Sequence, residues 1–289
     1  MSVRKTAFII AFVLLCLPLF FYAWRVALRP PRTSLQQQLF PGISYERRIY
    51  NEPRPYMAHI VAIDLVKSQA QALVTPIDLQ SVEPRHLAMT TSDFLTEFDL
   101  QIAVNGSFFY PFEEHTPWDY YPRQNDAAIA LGENISNGDR YGKTGSQWNV
   151  VCFDRANRVR VALQQQCPDR TVNAVAGREL LIRDGRSIID YETKAYARTI
   201  AVVNRQGDKL WLVVVDGKQP FYSEGITLLE AARLSLELGG DRAVNLDGGG
   251  SSTLAIAQNE TFEILNAPIH TKIPLRERPI ANHLGFAVP

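Results

Sequence analysis

Short apolar runs and strict alternations, separated by turn residues, dominate the chain from residue 59 to the end. HIVAIDLV (59–66) and QAQALVTP (69–76) read as strands, and QIAVNGSFFY (101–110) reads as a buried strand running into a turn. WNVVCFD and RVRVAL flank a turn at Arg155–Asn157, and AGRELLIRDGRSI carries Asp184-Gly185 as a hairpin turn. RTIAVVN, KLWLVVVD, STLAIA with TFEILN, and the closing NHLGFAV complete the β pattern. Helical spacing is rarer. Thr91–Leu100 predicts a short helix, and LLEAARLSLEL predicts a longer one between a capping box (Thr227, Glu230) and a stop at Gly239. That helix links LWLVVVD (210–216) to AVNLD (243–247), which predicts a β–α–β unit with parallel strands. The fold class is therefore α/β in the broad sense (α+β), a mixed β-sheet domain with few helices. Residues 111–147 show little periodicity and read as a functional or disordered loop.

The N-terminus breaks this pattern. Arg4 and Lys5 precede an uncharged run, Ala7–Trp24, whose 18 residues would span roughly 27 Å as a helix. No small-x-small cleavage site follows, and Trp24-Arg25 suits a membrane interface, so an uncleaved signal anchor is expected over a cleaved signal or a buried helix. The implied organisation is a transmembrane segment with basic flanks (1–32), a glutamine-bearing stalk (33–49) and one domain (50–289). Five basic and no acidic residues lie in 1–32, which leaves the rest of a formally neutral chain at −5. With no basic stripe, nucleic acid is not an expected partner. Cys152 and Cys167 stand 15 residues apart; they are either a disulfide worth about 3 kcal/mol or two thiols.

The β–α–β unit directs attention to Asp216 and Asp247, which end parallel strands at one sheet edge. Neighbouring strands would bring the two carboxylates to the spacing of a glycosidase pair, and an intervening strand would widen it. Each Asp equally suits a plain turn. Gly248-Gly249-Gly250-Ser251-Ser252 after Asp247 predicts close backbone approach to a ligand, with an anion nest of N–H groups and two hydroxyls. Phe108, Phe109 and Tyr110 suit a core at least as well as a sugar platform. Arg198, Lys218 and Arg278 are candidate anion-binding cations. The five histidines show neither metal spacing nor a partnered nucleophile.

Taken together, VNGSFFY, AGRELLIRDG, RTIAVV, LVVVDGKQP, VNLDGGGSSTL and RPIANHLGF resemble, in order, the segments of the phosphodiester glycosidase family. The resemblance covers about residues 50–289. It implies hydrolysis of a sugar-1-phosphate phosphodiester by C–O cleavage, with Asp216 and Asp247 sharing nucleophile or base and proton-handling roles. Arg198, Lys218 and the GGGSS backbone would stabilise charge, with Arg278 beside them. Asn105, Asn245 and Asn282 would orient sugar hydroxyls. Lys218 stands where the family often has Arg, and His283 brings a bulky ring near the expected site. No cofactor is required on this reading, and a structural calcium ion is allowed. Export of the domain to the extracytoplasmic side of a membrane is also implied. The competing readings are a non-catalytic carbohydrate-binding or scaffold protein and a metal-dependent phosphodiesterase.

Overall fold

The computed structural model describes residues 3–77, 86–145, 147–163, 166–259 and 261–289. Its centre is an eight-stranded sheet. The spatial order is Leu35–Phe40, Ile43–Tyr50, Tyr56–Asp64, Lys209–Val215, Arg198–Val203, Arg242–Asn245, Leu180–Arg183 and Arg186–Ser187. Every neighbouring pair is antiparallel. Lys209–Val215 and Arg242–Asn245 run parallel, as the sequence predicts, but Arg198–Val203 lies between them.

The helix Leu228–Glu237 makes that crossover and covers one face of the sheet. Its capping box is present: the Thr227 side chain accepts from Glu230 N, and the Glu230 side chain accepts from Thr227 N. Leu228, Ala231, Ala232 and Leu234 bury themselves against Ile200, Val202, Trp211, Val213 and Val215. The alternate residues of the same strands, among them Ala201, Val203, Leu212 and Val214, face the opposite way. There they meet two five-stranded sheets through Val104, Leu254, Leu284 and Phe286, and through Val151, Phe153, Val161 and Val175. The period of two along each central strand thus feeds two separate cores. Thr91–Glu97 covers the outside of one small sheet with Phe94 and Leu95. Cys152 and Cys167 form a disulfide, with Cα atoms 5.9 Å apart.

Two expectations need correction at the N-terminus. Residues 33–49 are no stalk: Leu35–Phe40 and Ile43–Tyr50 form a hairpin at the edge of the central sheet. Ile43 and Tyr45 alternate inward with Ser44 and Glu46 outward or partly so, which is a strand pattern obscured by the polar glutamines beside it. The second correction concerns the membrane. Val3–Ala27 is one helix, yet among the described residues no helix is long and apolar enough to cross a membrane. The membrane-anchored placement is overturned. The arginines expected to flank a bilayer instead bind the folded domain. Arg25 donates to the carbonyls of Pro274 and Leu275 at 2.9 and 2.7 Å, Arg29 to Gln219 Oε1 at 3.1 Å, and Arg32 to the carbonyls of Tyr222 and Tyr50.

Candidate active site

Three chain crossings of the central sheet deliver side chains to one edge. The strand Lys209–Val215 ends in Asp216-Gly217-Lys218, and Arg242–Asn245 leads into Leu246 and Asp247. Arg198 opens the antiparallel strand between them. Above this edge lies a cavity of 280 Å³, lined by Phe108, Phe112, Glu114, Tyr196, Arg198, Lys218, Asn245, Asp247, Arg278 and the three glycines 248–250.

Asp247 is 8% exposed. Burial pushes its carboxyl above the ordinary aspartate value. Opposing that shift are a hydrogen bond from Ser251, the Arg278 charge, the Gly248 N–H and the Lys218 charge. Lys218 sits at φ +59°, a left-handed conformation uncommon for a side-chain-bearing residue and often found where function fixes the backbone. Its ammonium pKa is lowered by burial and then by Arg278, and among the described residues it has no ion-pair partner. Arg198 is also lowered by burial; it donates to the carbonyls of Ile226 and Lys194 at 3.3 and 3.4 Å. Arg278 is the most fixed of the three cations. It donates to His270 Nδ1 at 3.2 Å, Ser251 Oγ at 3.1 Å and Glu114 Oε2 at 2.7 Å, and its guanidinium lies 4.4 Å from the Phe112 ring centroid. Burial and the neighbouring arginines hold His270 down to about 3, a neutral ring at neutral pH.

The glycines work by clearance rather than as a nest. A Cβ on Gly250 would lie 2.5 Å from Arg278 Nη2, and Gly249 turns at φ +64°. Most of the expected N–H donors are already committed. Gly248 N–H binds the Asp247 carboxylate, Gly249 N–H binds Ala197 O, and the N–H groups of Ser251 and Ser252 close a 3₁₀ turn. The anion nest is therefore corrected, and positive charge at the cavity comes from side chains. Ser251 serves as the link between Asp247 and Arg278, and Ser252 Oγ is buried with no partner among the described residues.

Several residues expected at the site lie behind it. Asp216 is 1% exposed and does not line the cavity. Its Oδ1 accepts from Asn266 Nδ2 at 3.1 Å and Ala267 N at 2.8 Å, and Oδ2 meets His59 Nε2 at 3.0 Å. His59 Nδ1 in turn meets Tyr45 OH at 2.8 Å. This network encloses Asp216 and keeps it out of the cavity. Asn105 holds the Asp247 carbonyl through Nδ2 at 2.6 Å and accepts from Thr199 Oγ1 at 2.6 Å. Asn282 binds Ser107 N at 2.8 Å and Asn134 Oδ1 at 2.9 Å. Both are fully buried, so they position backbone and do not meet a sugar. Asn245 does line the cavity, with Nδ2 on Glu179 Oε2 at 2.8 Å and a buried Oδ1 that has no partner among the described residues. His283 is stacked on Phe94 at 4.8 Å, away from the cavity. Phe108 faces the cavity whereas Phe109 is core.

Sequence reasoning missed Glu114, Phe112, Tyr196 and Glu179. Glu114 belongs to a two-residue strand paired with Tyr120–Tyr121, inside the stretch without periodicity. Pairs that short leave no hydropathy signature, so no sequence signal marked it. Among the described residues no group of three or more His, Cys, Asp or Glu side chains is placed to hold a metal ion.

Residues 98–287 match the family model for phosphodiester glycosidases. No curated protein sequence matches the chain. Among solved structures, the chain is similar to the zebrafish N-acetylglucosamine-1-phosphodiester alpha-N-acetylglucosaminidase catalytic domain, described as auto-inhibited by its pro-peptide. The TM-score is 0.60 at 19% identity, over 92% of this chain and 93% of that one. It is also similar to a protein of Burkholderia pseudomallei, with a TM-score of 0.65 at 12% identity over 90% and 98% of the two chains.

Proposed function

The chain belongs to the phosphodiester glycosidase family, and on that footing we propose that its cavity hydrolyses a sugar-1-phosphate phosphodiester at the C1–O bond. The observation that carries this reading is a buried carboxyl, Asp247, ringed by Arg198, Lys218 and Arg278 in a cavity of 280 Å³ with aromatic walls. Three cations against two acids, Asp247 and Glu114, suit a substrate whose leaving group is an anionic phosphate ester. Phe108, Phe112 and Tyr196 suit the apolar faces of a sugar.

In the proposed reaction a water oxygen bonds to C1 as the C1–O bond breaks. The bonding pair leaves with the phosphate, which departs as a monoester while the cations hold its charge. The proton lost from water goes to a cavity carboxylate. Asp247 is one member of the carboxylate pair, and Glu114 is the second carboxylate that the cavity presents in place of Asp216. Asn245 lines the cavity with its Nδ2 held by Glu179 Oε2, which fixes the floor beside Asp247. The reaction calls on no metal or cofactor.

The test is hydrolysis of a chromogenic sugar-1-phosphate diester panel by the full chain, with Asp247→Asn alongside. Free sugar and an intact phosphate monoester from the wild type alone support the reading. Glycan binding without product release, unchanged by Asp247→Asn, overturns it.

A further inference from the structure

A second cavity, of 470 Å³, opens beside the first. Pro18, Phe21 and Tyr22 of the N-terminal helix form one wall, and Pro117, Trp118 and Ile273 form the other. Glu114 lines both cavities, so the two meet at that carboxylate. Lys272 also lines the second cavity, so Lys272, Lys218 and Arg278, the last hydrogen-bonded to Glu114, outnumber that carboxylate and leave the junction net cationic. The walls are fixed in place. Arg276 donates to the Pro117 carbonyl at 2.7 Å, to Thr271 Oγ1 at 2.9 Å and to Tyr120 OH at 2.7 Å, and Arg25 ties the helix to Pro274 and Leu275. Yet the aromatic surface they present is largely bare: Trp118 is 79% exposed, and Phe21 and Tyr22 are each 49% exposed.

We propose that this cleft receives the leaving-group half of the substrate, and that this half is a hydrocarbon chain esterified to the phosphate. The inference rests on the phosphodiester reading above and narrows its substrate class. The first cavity, at 280 Å³, lies at the small end of ligand sites. It has room for a sugar and its phosphate, so the group on the far side of the phosphate must lie outside. The adjoining walls decide its chemistry. Of the six wall residues only Tyr22, through its hydroxyl, and Trp118, through its indole N–H, carry a side-chain hydrogen-bonding group, the other polar side chains of the cleft being Glu114, His115, Thr116, Thr271 and Lys272, whereas burying alkyl carbons against the walls is favourable by area alone. A cationic junction followed by an apolar cleft matches a phosphate followed by an alkyl chain.

The experiment measures binding of methyl, butyl and octyl phosphate to the full chain by calorimetry, below the micellar range. Hydrolysis of the matching sugar-1-phosphate alkyl diesters is measured in parallel. Affinity is expected to rise about twofold to fourfold per methylene buried and to level off once the cleft is filled. The series should flatten in Trp118→Ala and in Phe21→Ser, whose exposed side chains can be removed without unfolding the protein. Equal affinity for methyl and octyl phosphate, or an unchanged slope in both variants, overturns the proposal. Turnover of the methyl diester with no chain-length dependence sinks the cleft and keeps the activity. Chain-dependent binding without turnover of any diester does the reverse.

Discussion

Asp247 sits where burial and chemistry conflict. Its carboxyl is held above the ordinary value because folding removes water from it, so the ionised form is disfavoured in the native state. The sign follows directly. The native state keeps its full relative advantage below the unfolded value of about 3.9 and loses it as pH rises through the raised native pKa. Asp247→Asn is therefore expected to gain stability over the wild type at pH 7.5 and not at pH 3.5, as read from urea midpoints at both. The same substitution should lower kcat by about 10²- to 10⁴-fold, the usual reach of a general acid or base. Asp216 should behave in the opposite way. Its oxygens satisfy Asn266, Ala267 and His59 in the interior, so Asp216→Ala strands buried donors. It should cost about 2–4 kcal/mol of stability, with kcat falling far less than in Asp247→Asn. Equal loss of turnover in both variants at matched folded fraction would restore Asp216 to the chemistry. Sequence alone could not separate the two aspartates, because both follow an apolar strand and precede glycine. Tertiary partners decide which one faces open space: Asn266, Ala267 and His59 enclose Asp216, whereas Asp247 lines the cavity.

At the scale of elements, local chemistry predicts well wherever it is self-contained. The Thr227–Glu230 capping box and the Asp184–Gly185 turn, with φ +51° and +70° at its two residues, need no partner from elsewhere in the chain. Thr227→Ala should cost about 1 kcal/mol in chemical denaturation. The disulfide closes a loop of 15 residues, and Cys152→Ser with Cys167→Ser should cost about 3 kcal/mol; a denaturation curve that does not shift under reductant would refute it. Elements whose reason is tertiary were less legible. The hairpin 35–50 reads as a polar linker because half of it is an edge, where side chains need bury nothing. Glu113–Glu114 and Tyr120–Tyr121 are too short for any period to register, although they bring a carboxylate and Phe112 to the cavity. Asn105 and Asn282, expected to orient sugar hydroxyls, are buried struts, and by residue type alone a buried strut and a ligand contact look the same.

Over the whole molecule, the N-terminal segment carried the strongest hydropathy signal and gave the least accurate picture. An 18-residue apolar run admits a bilayer or a protein surface as its partner. The hydrogen bonds of Arg25, Arg29 and Arg32 to loops 219–222 and 274–275 tie the chain just after the run to the folded domain, while Phe12, Leu15, Leu19 and Phe20 within it stay exposed. The fold class, by contrast, was readable from the alternation of short strands around one capped helix. What it left open was neighbour order, which depends on long-range pairing that no local pattern records.

The order of the central sheet has a further consequence. One end terminates in the two-residue strand Arg186–Ser187, too short to template anything, while the other presents Leu35–Phe40 with its outer backbone groups unpaired among the described residues. Its three successive glutamines, 36–38, carry no charge to repel an incoming chain. The sheet is thus polar in the sense of growth: a strand can be recruited at one margin only. Any crowding-induced association of this protein should begin at the edge formed by its own first hairpin, and a lysine placed at Gln37 should suppress it.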